Sequence, residues 1–192
     1  MSSSLVEGNL RFEFSTDFEK FERFDCGGLN GLLSVDFVAE TPIFMYFIEV
    51  KDYQDPSAPK EQRDDDFEML VSISKGSKLS SCQICKKCDK CRRREKKFMS
   101  TLPAEIGQKL KDSLLRKYAR GEPICKNVVY LLLINLSGLD AHTRGRMSEN
   151  IHNGHIPVPL SRSEYSAFSK IDFKIVDADQ IKTYGINCTA IN

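Results

Sequence analysis

The chain has 192 residues, 41% of them apolar, with 28 basic and 27 acidic side chains and a net charge of +1. That length suits one α/β domain with an insertion or small appendage, and near-neutrality excludes a partner selected by overall charge, so any electrostatic partner must be read from local runs. No apolar run approaches the roughly 20 residues of a membrane span, and "MSSSLVEGNLRFEF" lacks the basic and apolar regions of a signal peptide; the expectation is a soluble cytoplasmic protein with no membrane partner.

In chain order, "NLRFEFS" alternates Leu10, Phe12 and Phe14 with Arg11, Glu13 and Ser15, the period of a half-buried strand. "TDFEKFERF" spaces Phe18, Phe21 and Phe24 by three behind a cap candidate, Thr16 or Asp17. It reads as one helical stripe, or as a turn into Gly27, Gly28 and Gly31. "LLSVDFVA" and "FMYFIEVKDY" read as an antiparallel hairpin centred near Pro42 and Ile43. From Gln54 to about Pro103 the composition shifts to a charged excursion that holds a cysteine cluster. "PAEIGQKLKDSLLRKYARG" is the strongest helix, with Pro103 near its first turn, Ile106, Leu110, Leu114 and Leu115 on one face, and Gly121 as its stop. Its basic residues Lys109, Lys111, Arg116, Lys117 and Arg120 are expected on a solvated face. "NVVYLLLINL" suits a strand covered on both sides. "HTRGRMSENIHNGHIPVPL" reads as a loop with one helical turn, "SRSEYSAFSK" as a short helix, and "DFKIVDADQIKTY" as the start of a final strand. This order predicts an α/β domain around a mixed sheet.

The charges inside "FIEVKDYQD" need a reason, because ionised groups in an apolar strand are costly unless paired or bound to metal. Strand side chains alternate, so Glu49 and Lys51 share one face. A turn near Pro42 sets Asp36 of "SVDFVA" opposite Glu49, with Cβ atoms about 5 Å apart. Two carboxylates that close repel, and a hard divalent cation with oxygen ligands removes the repulsion. The Val50 carbonyl could add an oxygen, and Lys51 would face the same site.

"VDF" followed by "IEVK", with twelve residues between Asp36 and Glu49, resembles the PD-(D/E)xK nuclease superfamily, which includes many restriction endonucleases. The resemblance implies a restriction-endonuclease-like core, a mixed central sheet flanked by helices, and a nuclease that uses Mg²⁺ or Mn²⁺ on nucleic acid, DNA in particular. It assigns Asp36 and Glu49 as metal ligands and Lys51 as the group that positions or deprotonates the attacking water. Val35 stands where the motif name expects proline, which has no chemical task. The family's further acid has no secure match; Glu19 is the nearest candidate and Glu7 the next. Nucleases of this kind often dimerise to cut both strands.

Cys82, Cys85, Cys88 and Cys91 form C-x2-C-x2-C-x2-C, within a basic insertion spanning 75–98. Thiolates three residues apart can share one tetrahedral Zn²⁺, and an iron–sulfur cluster is the alternative. From Lys75 to Lys97 there are ten Lys or Arg and two acids, a patch that attracts phosphate backbone. A rival expectation is therefore a non-catalytic nucleic-acid or protein adaptor that binds through this insertion. Cys26, Cys125 and Cys188 read as small buried hydrophobes. His142, His152 and His155 could form a metal pair or a base, but nothing near them completes a nucleophile set.

Overall fold

The computed structural model describes residues 4–25, 32–54, 89–122, 124, 126–136, 139–155 and 171–191; the side chains of 89–101, 103, 150 and 153–155 are outside that set. Two sheets form. β1 (Ser4–Glu7), β2 (Leu10–Phe14) and β8 (Ile186–Ala190) make an antiparallel sheet in the order β1-β2-β8. β3 (Lys20–Arg23), β4 (Phe37–Glu40), β5 (Phe44–Asp52), β6 (Asn127–Asn135) and β7 (Ile171–Val176) make a mixed sheet in chain order. Its first three strands are antiparallel, and β5, β6 and β7 run parallel. α1 (Asp89–Ala119) crosses from β5 to β6, and α2 (Ala141–His155) from β6 to β7. This is the expected α/β class with a mixed sheet. No helix among the described residues is long and apolar enough to cross a membrane.

Alternation along β5 divides the interior. Met45 and Phe47 join Val38, Tyr130, Leu132 and Phe173 under Leu102, Ile106 and Leu110 of α1 and Met147 and Ile151 of α2. Tyr46, Ile48 and Val50 join Leu131 and Leu133 on the other face, against Leu10, Phe12, Ile186 and Cys188 of the small sheet. The two α-helices therefore flank only one face of the mixed sheet, and the small antiparallel sheet, with Ile181, closes the other. β6 is buried throughout between Val128 and Ile134, as its unbroken apolar run requires.

Four local expectations change. "TDFEKFERF" supplies β3 rather than a helix: Phe21 stacks on Phe14 with centroids 4.5 Å apart, while Phe24 is buried in the helix-side core, so the phenylalanines do not form one stripe. α1 begins at Asp89 and not at Pro103, because "DKCRRREKKFM" is rich in strong helix formers that carry the helix past the proline. α2 spans fifteen residues where one turn is expected, started by Asp140, whose carboxylate accepts the Thr143 N–H at 2.8 Å and the Thr143 hydroxyl at 3.0 Å. Finally, β7 is not the last strand, since β8 follows it and pairs with β2.

Cys82, Cys85 and Cys88, most of the 75–98 insertion and the "SRSEYSAFSK" segment lie outside the described residues. Cys91 falls in the first turns of α1. Cys188 is a buried free thiol, its pKa pushed up to about 11 by burial, as a small core residue should be.

Candidate active site

The site sits where the β4–β5 hairpin leaves the sheet beneath α1. Thr41 and Phe44 close the turn by a backbone bond of 2.9 Å, around Pro42 and Ile43. The register Phe37↔Ile48 follows, and one step further sets Asp36 against Glu49. Both are buried, 8% and 1% exposed. Asp36 Oδ2 accepts the Val50 N–H at 2.6 Å. The N–H and C=O of one strand residue leave on the same side, so the Val50 carbonyl also leaves toward the Asp36 edge.

Glu49 Oε1 receives two ammonium groups, Lys109 Nζ at 2.6 Å and Lys51 Nζ at 3.1 Å. Lys51 also reaches Glu105 Oε1 at 3.0 Å. Glu105 and Lys109 are four residues apart on α1 and so share one helix face. The structure thus brings Asp36, Glu49 and Lys51 together and adds Glu105 and Lys109.

The C-terminal part of α1 holds the strand that delivers Asp36. Leu33 N–H donates to Asp112 Oδ2 at 3.0 Å and Val35 N–H to Ser113 Oγ at 3.1 Å. Arg116 donates to the Phe24 carbonyl and, at 3.1 Å, to Ser34 Oγ, with its guanidinium 4.5 Å from the Phe24 ring centroid. Phe24 N–H in turn donates to the Asp36 carbonyl at 2.8 Å. The expected solvated basic face therefore fails for Arg116, Lys117 and Lys109. Lys117 is fully buried, with its ammonium on Glu40 at 2.9 Å and on Glu122; long alkyl stems let these residues cross apolar ground to reach carboxylates. Lys111 and Arg120 are exposed.

Burial and the neighbouring Glu49 charge push the Asp36 carboxyl up to about 7, against the opposing Val50 hydrogen bond. Burial also disfavours the Lys51 ammonium, but the carboxylates of Glu49 and Glu105 outweigh it and hold its pKa above the ordinary lysine range. Lys51 is therefore a charged donor near neutrality. Tyr130 of β6 is raised well above its ordinary value by burial and then by Glu49, Asp36 and Glu105. Among the described residues, neither the Tyr130 hydroxyl nor Glu49 Oε2 has a hydrogen-bond partner.

A second acidic edge meets the site. Glu7, Asp25 and Asp36 each place a carboxylate oxygen within 4.8 Å of the others. Burial raises the Glu7 carboxyl, while Arg23, which pairs with it, opposes the rise. Of the two expected further acids, Glu7 reaches Asp36 and Glu19 does not; Glu19 pairs with Lys126 at 3.1 Å. His142 is exposed on α2, and no metal cluster among the described residues contains a histidine.

The donor set fits a hard divalent cation. Carboxylate oxygens converge, among the described residues the buried Glu49 Oε2 lacks a hydrogen-bond partner, and burial and the Glu49 charge raise the Asp36 carboxyl. Asp36, Glu49 and the Val50 carbonyl are the residues that could hold it. Sequence reasoning misses Asp25, Glu105, Lys109 and Tyr130. The available signals were the Glu105/Lys109 spacing and the lone hydroxyl in "NVVYLLLIN". No protein-family model, curated protein or solved structure matches the chain.

Proposed function

We propose that the chain is a Mg²⁺- or Mn²⁺-dependent nuclease, hydrolysing phosphodiester bonds of nucleic acid, DNA foremost, on a restriction-endonuclease-like core. The observation that carries the reading is the convergence of Asp36, Glu49 and Lys51 under α1, with Glu49 Oε2 unpartnered among the described residues. The element order supports it: the β4–β5 hairpin is followed by α1 and then by β6, the helix and strand that the PD-(D/E)xK resemblance includes in outline.

Asp36, Glu49 and the Val50 carbonyl would hold the cation, whose bound form would supply a water of lowered pKa and charge compensation for the phosphate. Lys51 keeps its proton near neutrality and donates a hydrogen bond that orients the attacking water. Glu105 fixes the Lys51 ammonium from the opposite side.

Nucleic acid is favoured as substrate by the basic run that α1 carries. Lys90, Arg92, Arg93, Arg94, Lys96 and Lys97 lie on the helix that also bears Glu105 and Lys109. At 1.5 Å per residue, Arg94 is roughly 17 Å along the axis from Glu105, within the width of a duplex. Phosphates bound along that run would lead a strand to the carboxylates. For Cys82, Cys85, Cys88 and Cys91 the four-thiolate donor set fits Zn²⁺, with an iron–sulfur cluster as the alternative.

The test is cleavage of supercoiled plasmid and of single-stranded DNA with Mg²⁺ or Mn²⁺ by wild type, Asp36→Ala and Lys51→Ala. Both variants should lose activity by about a hundredfold or more, the usual cost of removing one preorganised charge from a reaction centre. Equal cutting by all three preparations would come from a contaminant and would end this assignment.

A further inference from the structure

Glu49 carries two ammonium groups on one oxygen and no partner among the described residues on the other. The two lysines are held differently. Lys51 is fixed by Glu105 as well as by Glu49, whereas the one ion pair of Lys109 among the described residues is with Glu49, at 2.6 Å. Lys109 also keeps 16% of its side chain exposed, so it is less enclosed than Glu49 at 1%.

A carboxylate as buried as Glu49 needs a positive partner in every state of the protein. A divalent cation supplies that charge by itself. With the cation bound to Glu49, three positive groups would crowd one carboxylate, and like charges a few ångströms apart repel strongly at protein dielectric values. Lys51 has Glu105 to retain it. Lys109, a compact charge on a flexible four-carbon stem, has no such second anchor among the described residues.

We infer that Lys109 takes the cation's charge position at Glu49 when the site is empty, that the Lys109–Glu49 pair and a bound cation exclude one another, and that the released ammonium contacts the phosphate of the substrate. The inference rests on the proposed cation site. It assigns Lys109 two successive partners, the Glu49 carboxylate and then a phosphodiester oxygen, and makes substrate contact conditional on cation loading. The placement of Lys109 on α1, continuous with the basic run at Lys90–Lys97, puts the released charge on the same helix that would follow the nucleic-acid backbone.

The test is direct Mn²⁺ binding, read by the electron paramagnetic resonance of free Mn²⁺, on the full chain of wild type, Lys109→Met, Lys109→Gln and Asp36→Asn, followed by plasmid cleavage at saturating Mn²⁺. Glutamine keeps a donor toward Glu49 without charge, and serves if the methionine variant does not fold. Both Lys109 variants should bind Mn²⁺ roughly tenfold more tightly than wild type, because a competing positive charge has gone. Their KM for plasmid should rise more than their kcat falls, which a purely structural lysine would not produce. If wild type binds Mn²⁺, Asp36→Asn binds it weakly and Lys109→Gln shows unchanged or weaker affinity, Lys109 is a structural partner and the inference is overturned while the cation site stands. Absence of Mn²⁺ binding in every chain would remove both.

Discussion

The Asp36 carboxylate accepts the backbone N–H of Val50 at 2.6 Å, which ties the start of β4 to the residue between Glu49 and Lys51. The bond favours the ionised carboxyl, yet burial and Glu49 prevail and leave it titrating at about 7. An unfolded aspartate ionises near 3.8. The folded chain therefore holds a proton that the unfolded chain has lost, and the stability this proton contributes disappears as pH rises toward 7. Asparagine does not titrate. Asp36→Asn should become more stable relative to wild type between pH 4 and pH 7, by on the order of a few kcal/mol, and the difference should level off above 7. Urea unfolding of both chains across that range measures it. Saturating Mn²⁺ should shrink the gap by compensating Asp36 in wild type alone.

Ser113 is the acceptor for the Val35 N–H, one residue before Asp36. Ser113→Ala leaves a buried donor without its partner and should cost about 1–3 kcal/mol in urea unfolding. Because the same strand positions Asp36, Mn²⁺ affinity should fall with it. A stability loss without change in Mn²⁺ affinity would show that Asp36 is held by its Val50 contact alone.

Lys117 sits in the last turn of α1, eight residues beyond Lys109, fully buried against Glu40 and Glu122. Lys117→Met leaves Glu40, 16% exposed, without its closest cation and should destabilise by about 2–4 kcal/mol, less than a fully buried pair because Lys126 and solvent still compensate. Mn²⁺ affinity should not change, since none of the site residues touches this network. Calorimetry and Mn²⁺ titration of the same preparation separate the two.

Tyr130 buries a hydroxyl with no hydrogen-bond partner among the described residues. Tyr130→Phe removes a desolvated polar group and keeps the ring stacked against Phe173, so the metal-free protein should be unchanged or stabilised by up to about 1 kcal/mol. If the hydroxyl serves a hydrated cation at Glu49, cleavage should fall in the same variant. Thermal unfolding without metal and cleavage with it give opposite signs in that case.

The β4–β5 hairpin was legible because a two-stranded register is arithmetic: a turn at Pro42 and Ile43 pairs Phe37 with Ile48 and so sets Asp36 against Glu49. β6 was legible for a similar reason, since a strand buried on both faces has no choice but an unbroken apolar run. Lys109 and Lys117 were not legible, because a lysine on a helix looks the same whether its stem lies on solvent or crosses the core to a carboxylate on another element. β3 was misread because Phe18, Phe21 and Phe24 serve different partners, which only tertiary packing reveals. β8 eluded periodicity because "INCTA" has just two inward side chains, Ile186 and Cys188, and its partner lies near the other end of the sequence.

That last pairing has a kinetic consequence. Leu10 faces Ala190 across β2 and β8, among the most distant contacts the chain makes. During synthesis the first hairpin must wait until residues 186–190 have emerged before its partner strand is present, and the sheet face bearing Ile48, Val50, Leu131 and Leu133 lacks the cover of Ile186 and Cys188 until then. Glu7 belongs to that hairpin, so the acidic edge beside Asp36 is assembled late. A nascent chain can form the Asp36–Glu49 hairpin early, while its full set of carboxylates is complete only once the final strand has docked.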